Sequence, residues 1–459
     1  MKRTLFSASL FLFLFCFTAT SFATNGYQLM GIGSTQKGMG GAVTAAPEDA
    51  MTAITNPAGM AVIGNRADFN GEAFMPERSV DFKKLNSALG GPGEETSGGS
   101  ELYGIPAFGW TAPAFGRDDV FFGGGMYATA GLGVDYDIIN AGSVFGDADM
   151  YSSIQLWKMA PTLAWKVNEQ LALGVSLDFD YQQVEFYERF DATSLEGLDL
   201  ALLRATGIYG GGISLGGIYK VNDMVTVGAS YISKQWFPDM KYRDGHATNF
   251  PDGVNLAMAT SNGGTLKLDM DFPQQAAIGI AVKPMDALTL ECDVKWINWK
   301  DTHDKVNLSG DFLLTNSNDL AAYMGGMGPA PTPVAAKSID LPFGWDNQVV
   351  VALGARYAVN KDLTLRIGYN WAESPIDEKD VFNNVVFPAI VEQHLGLGLT
   401  YNLGDHWALS GSYMKAFKED LTGKKDVPQA FQNLGFAASS NTKISLEETS
   451  IGAQISYRF

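Results

Sequence analysis

Few residues of this chain are equipped for covalent or metal chemistry. The four histidines are His246, His303, His394 and His406, and the two cysteines are Cys16 and Cys292. A hydrolase needs a nucleophile beside a histidine, and a metal centre needs imidazoles or thiolates at short spacing. Here the histidines are scattered. His246 and His303 fall between patterned segments, His406 at a turn, and His394 on a strand without a matching serine motif. No enzyme activity, metal or cofactor is expected. The formal net charge of −18 argues against nucleic acid as a partner, which calls for basic stripes. The remaining charged residues of interest recur at alternate positions: Asp178 and Asp180; Glu291, Asp293 and Lys295; and Arg366. Alternation of that kind implies strands that point these side chains to one side.

The strands are legible over long stretches. In "LALGVSLDFDYQ" (171–182) one face is Leu171, Leu173, Val175, Leu177, Phe179 and Tyr181, and the other is small or polar. The same period of two runs through 288–296, 363–372, 394–404 and the closing "SIGAQISYRF". A soluble sandwich would alternate too. Three features favour a membrane barrel: strands of ten or more residues, aromatics towards strand ends (Tyr369 with Trp371, Tyr457 with Phe459), and connections that alternate short and long. The short ones lie at 116–119, 168–170, 222–223, 283–287, 360–362 and 404–405. The long ones cover roughly 77–101, 130–150, 188–206, 237–263, 301–345, 374–390 and 420–442. Thirteen connections predict an all-β, 14-stranded antiparallel transmembrane β-barrel over 66–459, with both termini on the short-turn side. The sheet must close because lipid satisfies no backbone hydrogen bond.

Residues 1–23 read as a secretory signal peptide. They comprise basic Met1-Lys2-Arg3, an apolar run at 5–17 and small residues at Ser21 and Ala23. The apolar run is shorter than the ~20 residues that span a bilayer. Cleavage after Ala23 leaves Cys292 without a disulfide partner and takes the net charge from −18 to −20. The 52 glycines, 12% aromatics and lack of a later long apolar run exclude a helical membrane protein.

Between signal and barrel lies "NGYQLMGIGSTQKGMGGAVTAAPEDAMTAITNPAGM" (25–59), small, Gly-rich and nearly uncharged. A fourteen-stranded lumen is too wide for wall side chains to fill. Residues 24–65 are therefore expected to form a hatch inside it, the alternative being a disordered periplasmic tail.

These features resemble the FadL-type outer-membrane transporters of long-chain fatty acids and other hydrophobic compounds, a family that includes toluene-uptake channels. The resemblance covers the whole mature chain. It rests on "NGYQL" with its Gly-rich follow-on, on Asn56-Pro57-Ala58, on the strand count and on the terminal Phe459. It implies passive uptake in the bacterial outer membrane, with capture at an extracellular groove and exit sideways through a kinked third strand near "NPA". The lateral gate would then comprise Asn56, Pro57, Ala58, Ala130 and Gly131. The third strand, "VFFGGGMYATAGLGVDY" (120–136), carries glycines that permit a bulge. They would equally suit a crowded wall. "Glu-Arg-Phe" at 188–190 resembles the family segment whose arginine contacts a bound carboxylate, so Arg189 is the candidate cation, with Phe186 and Phe190 beside it. Extending the strand's parity would point Arg189 outward unless a bulge intervenes, and a solvated arginine paired with Glu188 or Asp191 is the other reading. Leu195, Leu198, Leu202 and Leu203 fall at helical spacing, and Ser194 suits a cap. An amphipathic loop helix over 192–206 is expected to line the capture groove with Leu198 and Leu202.

The expected partners are a long-chain fatty acid or other hydrophobic small molecule, outer-membrane lipids and lipopolysaccharide, and the barrel-assembly machinery through Phe459. A monomer should suffice. A nonspecific porin and a surface receptor or adhesin are the alternatives, separated by ion conductance and by growth on oleate after deletion.

Overall fold

The computed structural model describes residues 25–86, 92–99, 102–138, 140–141, 146–191, 198–253 and 256–459. The expected signal peptide at 1–23 lies outside the described residues. Fourteen long strands follow one another round a closed sheet. They are β1 (Arg66–Asp81), β2 (Tyr103–Pro113), β3 (Val120–Ile138), β4 (Ala148–Met159, continued by Thr162–Lys166), β5 (Leu171–Phe190), β6 (Ile208–Lys220) and β7 (Val225–Ile232). The second half comprises β8 (Gln275–Met285), β9 (Leu288–Ile297), β10 (Gln348–Ala358), β11 (Leu363–Ala372), β12 (Gln393–Leu403), β13 (Trp407–Thr422) and β14 (Lys443–Arg458). Each pairs antiparallel with the next, and β1 closes on β14 from Arg66↔Arg458 to Asp81↔Lys443. Among the described residues no helix is long and apolar enough to cross a membrane. The crossing is made by strands, and the sheet they form closes on itself at the β1–β14 seam.

The period of two sets the two faces. On β5 Leu173, Val175, Leu177 and Phe179 are exposed, while Ser176, Asp178 and Asp180 are buried inside. On β14 Ile451 and Ile455 face out, and Gln454 and Ser456 face in. Apolar side chains outside and hydrogen-bonding ones inside match lipid and lumen respectively.

At the long-loop end, the connections after β7 and β9 build a second, six-stranded sheet that includes Leu266–Asp269, Val306–Asn316 and Val334–Leu341. The connection after β5 departs from the helical expectation. Leu198–Leu202 is a strand, antiparallel to Phe186–Phe190 of β5 and to His246–Thr248. Leu198, Leu200 and Leu202 are all buried, so a period of two is satisfied where the leucine spacing had suggested 3.6. The neighbouring edges supply backbone partners that an isolated loop would otherwise find only in a helix. Ser194 and Leu195, the expected cap and first leucine of that helix, lie outside the described residues.

Residues 25–65 hold a short helix (Ser34–Gly38) and two 3-10 turns (Ala50–Ile54 and Pro57–Ala61). Asp49 and Asn56 cap those turns by accepting from the amides of Met51 and Ala58. This segment lies against inward-facing positions on strands all round the barrel. The Ser34 amide donates to Asn70 and Gln454, and those of Val43 and Thr44 to Asp293. The Ala45 and Ala46 amides donate to Glu291, and the Ala50 amide to Asp68. Lys37 pairs with Glu72 at 2.6 Å, and Glu48 with Arg366 at 2.5 Å and Arg356 at 3.2 Å. The wall's buried charges are thereby matched to an irregular backbone whose amides have no ladder of their own.

Candidate functional site

One stretch of the wall is incomplete. β2 and β3 pair from Ala107↔Tyr127 to Pro113↔Phe121 and no further. Beyond that point, Tyr103–Pro106 of β2 pair only with β1, and β3 pairs only with β4. Higher still the gap is bridged again: the Gly98 amide donates to the Arg78 carbonyl and the Gly99 amide to the Asp135 carbonyl, both at 2.8 Å. The result is a framed window. A cavity of about 260 Å³ occupies it, lined by Tyr103 and Ile105 on one side, Ala130 to Gly133 on the other, and Leu29 behind.

Local chemistry accounts for the break. Pro106 lacks the N–H that a central strand needs and stands where β2 leaves its partner. The β3 register slips between Ala128 and Ala130 against β4. Lower down, β4 is interrupted at Ala160-Pro161, opposite Gly124 at φ 135°. A Cβ on Gly124 would lie 2.3 Å from the Ala160 carbonyl oxygen, so only glycine fits there.

The backbone freed by the slip is taken up by the leading segment. Gln28 bridges to Ala130. The Leu29 amide donates to the Thr129 carbonyl at 3.2 Å, and the Gly131 amide to the Tyr27 carbonyl at 3.1 Å. Tyr27 in turn sits in an aromatic box with Phe272, Trp299, His303 and Trp345, at ring separations of 4.9 to 5.8 Å. Its hydroxyl lies 2.8 Å from His303 Nε2. His303 belongs to the connection after β9, and burial pushes its imidazole down to about 3 from the ordinary 6.5, so the ring is neutral at physiological pH.

Higher in the barrel is an apolar pocket. Phe186 and Phe190 of β5 line it together with Leu198, Leu200, Phe250 and Phe343. Phe186 meets Phe387 at 5.1 Å edge to face, and Phe343 meets Phe387 at 5.1 Å. Leu202 is buried opposite Phe186 in the register of β5 and Leu198–Leu202. Arg189 is not in this pocket. β5 carries no bulge against β4 or Leu198–Leu202, so its even-numbered residues stay inward to Phe190. The half-exposed Arg189 side chain points the other way, 3.7 Å from Asp199 and over the Tyr187 ring. The inward neighbour is Glu188.

Ala130 and Gly131 line the window, whereas Asn56, Pro57 and Ala58 stand elsewhere, against β5 and β6. A Cβ on Gly174 would come 2.3 Å from the Pro57 carbonyl carbon. The Asn56 amide group donates to the carbonyls of Thr44 (2.7 Å) and Gly217 (3.2 Å). The residues that do meet the slipped strand, Tyr27 to Leu29, lie in the "NGYQL" at the start of the segment. Pro106 in "YGIPAF" was the available sequence signal for where the ladder stops.

A further cavity of about 100 Å³ between the leading segment and the wall contains Lys158 and Lys295 among its lining residues. Lys158 is bonded to Asp178 at 2.9 Å and lies 3.9 Å from Asp180.

Comparison with known proteins places these features among relatives. A family model described as outer membrane protein transport protein (OMPP1/FadL/TodX) matches residues 15–459. Outer membrane protein P1 of Haemophilus influenzae is 23% identical over 384 residues, covering 77% of this chain and 75% of that protein. The solved Pseudomonas putida toluene transporter TodX superposes with a TM-score of 0.68 at 17% identity, over 94% of this chain and 99% of its own. A Pseudomonas aeruginosa FadL homologue gives 0.68 at 16% identity, over 95% and 100%.

Proposed function

This chain belongs to the outer membrane protein transport family (OMPP1/FadL/TodX), and on that premise we propose that it takes up small hydrophobic compounds and releases them sideways into the bilayer. The family membership and the barrel locate it in the bacterial outer membrane as a channel protein. The cargo is a long-chain fatty acid or a smaller hydrocarbon such as the toluene carried by the structural neighbour. Capture occurs at the long-loop end, where the apolar pocket around Phe186, Phe190 and Leu198 receives the molecule. Residues 25–65 act as a hatch that denies it a straight path down the bore. It leaves between β2 and β3.

The observation that carries this reading is the framed gap in the wall, with its cavity joining Leu29 inside to Tyr103 and Ile105 in the wall. Sideways delivery has a physical rationale. A hydrophobic molecule sent down an aqueous bore would lose about 0.8 kcal/mol for every CH₂ left in water, whereas the window opens onto hydrocarbon. A nonspecific porin would need the lumen that the leading segment occupies.

Gly131 offers the test. A Cβ there meets nothing closer than the Ile154 carbonyl oxygen at 3.4 Å, so a large side chain enters the window without straining the strand. Gly131→Trp is expected to cut uptake of radiolabelled toluene and oleate into cells at least about tenfold, the scale of a 1.4 kcal/mol barrier. Heat-modifiable migration on a denaturing gel reports that the barrel has folded. A folded Gly131→Trp barrel with undiminished uptake of both compounds would overturn the lateral route.

A further inference from the structure

The outer mouth of the window carries polar groups that an apolar wall does not need. On β4 the even-numbered residues from Met150 to Lys158 are buried and the odd ones face out. Ser153, Gln155 and Trp157 of the outward set line the same cavity that Leu29 lines from inside, so the space runs through the wall. Tyr103 of β2 reaches across it: a Cβ on Gly133 would lie 3.4 Å from the Tyr103 hydroxyl. Gly133 and Gly131 of β3 stand opposite Ser153 and Gln155 in the register, and without side chains they leave the space between these groups open. Among the described residues, the Ser153 and Tyr103 hydroxyls and the Gln155 side-chain amide make no hydrogen bond. The neighbouring outward Gln183 of β5 is instead tied to Tyr181 at 3.2 Å and to Glu185 at 3.3 Å. Two charged residues line the inner part of the cavity. Glu448 lies 4.0 Å from His394, and the Arg78 guanidinium lies 5.7 Å from the centre of the Tyr103 ring.

The level of these groups on the wall gives them a use. Outward on β5 the apolar run Leu173 to Phe179 ends at Tyr181 and gives way to Gln183 and Glu185. Trp157 pairs with Tyr181 and Gln155 with Gln183, so the same change from apolar to polar crosses β4 between Trp157 and Gln155. Outward aromatics at such a change mark the edge of the hydrocarbon. Gly131, opposite Gln155, sets the window across that edge. An amphiphile leaving here passes its tail into hydrocarbon beside Trp157 while its head stays among polar groups. Both halves of that arrangement are favourable, because an unpartnered carboxylate is costly in hydrocarbon and each CH₂ is costly in water. Ser153, Gln155 and Tyr103 all offer donors, from which a carboxylate accepts charge-assisted bonds. Resting on the lateral route, we propose that the outer mouth of the window is a head-group site for a fatty-acid carboxylate, held by Gln155 and Ser153 on β4 and by Tyr103 from β2. A hydrocarbon such as toluene passes the same window without using it.

A charge placed at position 155 tests this, because the Gln155 side chain is exposed and its replacement disturbs no packing. Uptake of radiolabelled oleate and toluene is compared in cells producing wild type, Gln155→Glu, Gln155→Lys or Gly131→Trp, with folding read from heat-modifiable migration. Gln155→Glu keeps the shape of glutamine and sets a negative charge against the head, so oleate uptake is expected to fall at least about fivefold. Gln155→Lys should hold oleate uptake at or above the wild-type rate. Toluene should stay within about twofold of wild type in both variants, since it has no head to sense the charge. Oleate uptake that responds alike to Gln155→Glu and Gln155→Lys would overturn the head-group site. So would toluene uptake that falls together with oleate, or oleate uptake unchanged in Gln155→Glu. In each of these cases, loss of both compounds in Gly131→Trp leaves the lateral route standing. If folded Gly131→Trp admits both compounds undiminished, the route fails and the head-group site falls with it.

Discussion

At the scale of single residues, His303 shows what burial does to a titrating group outside the spanning strands. Its ring is held neutral inside the box of Trp299, Trp345 and Tyr27, with Nδ1 beside the Thr302 hydroxyl at 2.7 Å. The opened loop would protonate near the ordinary 6.5, and the packed one only near 3. The packed form is therefore fully favoured above about pH 6.5 and loses stability as pH falls from there towards 3. Between those limits, each unit multiplies the open population by about ten, because the open state binds the proton that the buried ring refuses. Tryptophan emission from the full-length barrel should shift to the red below about pH 5, and His303→Phe should remove that dependence. A red shift that persists unchanged in His303→Phe would assign it to another group. Arg189 makes the complementary point. Its identity invited a role with a bound carboxylate, but its side chain faces Asp199, and a residue's direction is set by strand parity rather than by residue type.

At the scale of elements, the leading segment and the wall fit through close approach. Pro57 rests on Gly174 of β5, where a Cβ would come within 2.3 Å of the Pro57 carbonyl carbon. Gly174→Leu should force the Pro57–Ala61 turn off the wall, at an overpacking cost of about 1–3 kcal/mol. The barrel would still form, because the ladder between β5 and β6 uses backbone groups only. Single-channel recording in planar bilayers is expected to show raised ion conductance for this variant over wild type. Conductance indistinguishable from wild type would mean that the segment tolerates the intrusion. The window obeys the same logic in reverse. β2 loses its partner at Pro106, β3 slips beside Ala128, and Tyr27 and Leu29 take up the backbone of β3 at Thr129 and Gly131. An opening in a membrane sheet is tolerable only where its backbone groups face protein.

At the scale of the whole molecule, closure and filling are separate achievements. Closure belongs to the fourteen strands and the β1–β14 seam. Filling is the role proposed for residues 25–65, where Glu48 lies between Arg366 and Arg356 and Lys37 beside Glu72. Removing residues 25–65 behind an intact signal is expected to leave a folded barrel with an open bore. Ion conductance should then rise at least about tenfold and the outer membrane should admit large hydrophilic antibiotics, as a fourteen-stranded tube has a lumen its walls cannot fill. A folded deletion variant with wild-type conductance would show that other residues close the bore.

Much of this molecule is decided by local order along the chain. A period of two, ten-residue strands and alternating connection lengths were enough to determine an all-β barrel of fourteen strands, and the parity of Asp178, Glu291 and Arg366 was enough to put them inside. These properties repeat every two residues or every strand, so short stretches carry them. The helix expected over 192–206 failed where Leu198–Leu202 found strand edges to pair with, which no local spacing of leucines reveals. The tertiary structure alone decided which part of the leading segment meets the slipped third strand: Tyr27 to Leu29, not Asn56 to Ala58. The outward direction of Arg189 was already contained in the parity of β5, and the structure adds that no bulge reverses it. Contacts such as those of Tyr27 to Leu29 join residues tens to hundreds of positions apart, and their partners are chosen by the closed geometry of the barrel rather than by any neighbour in sequence.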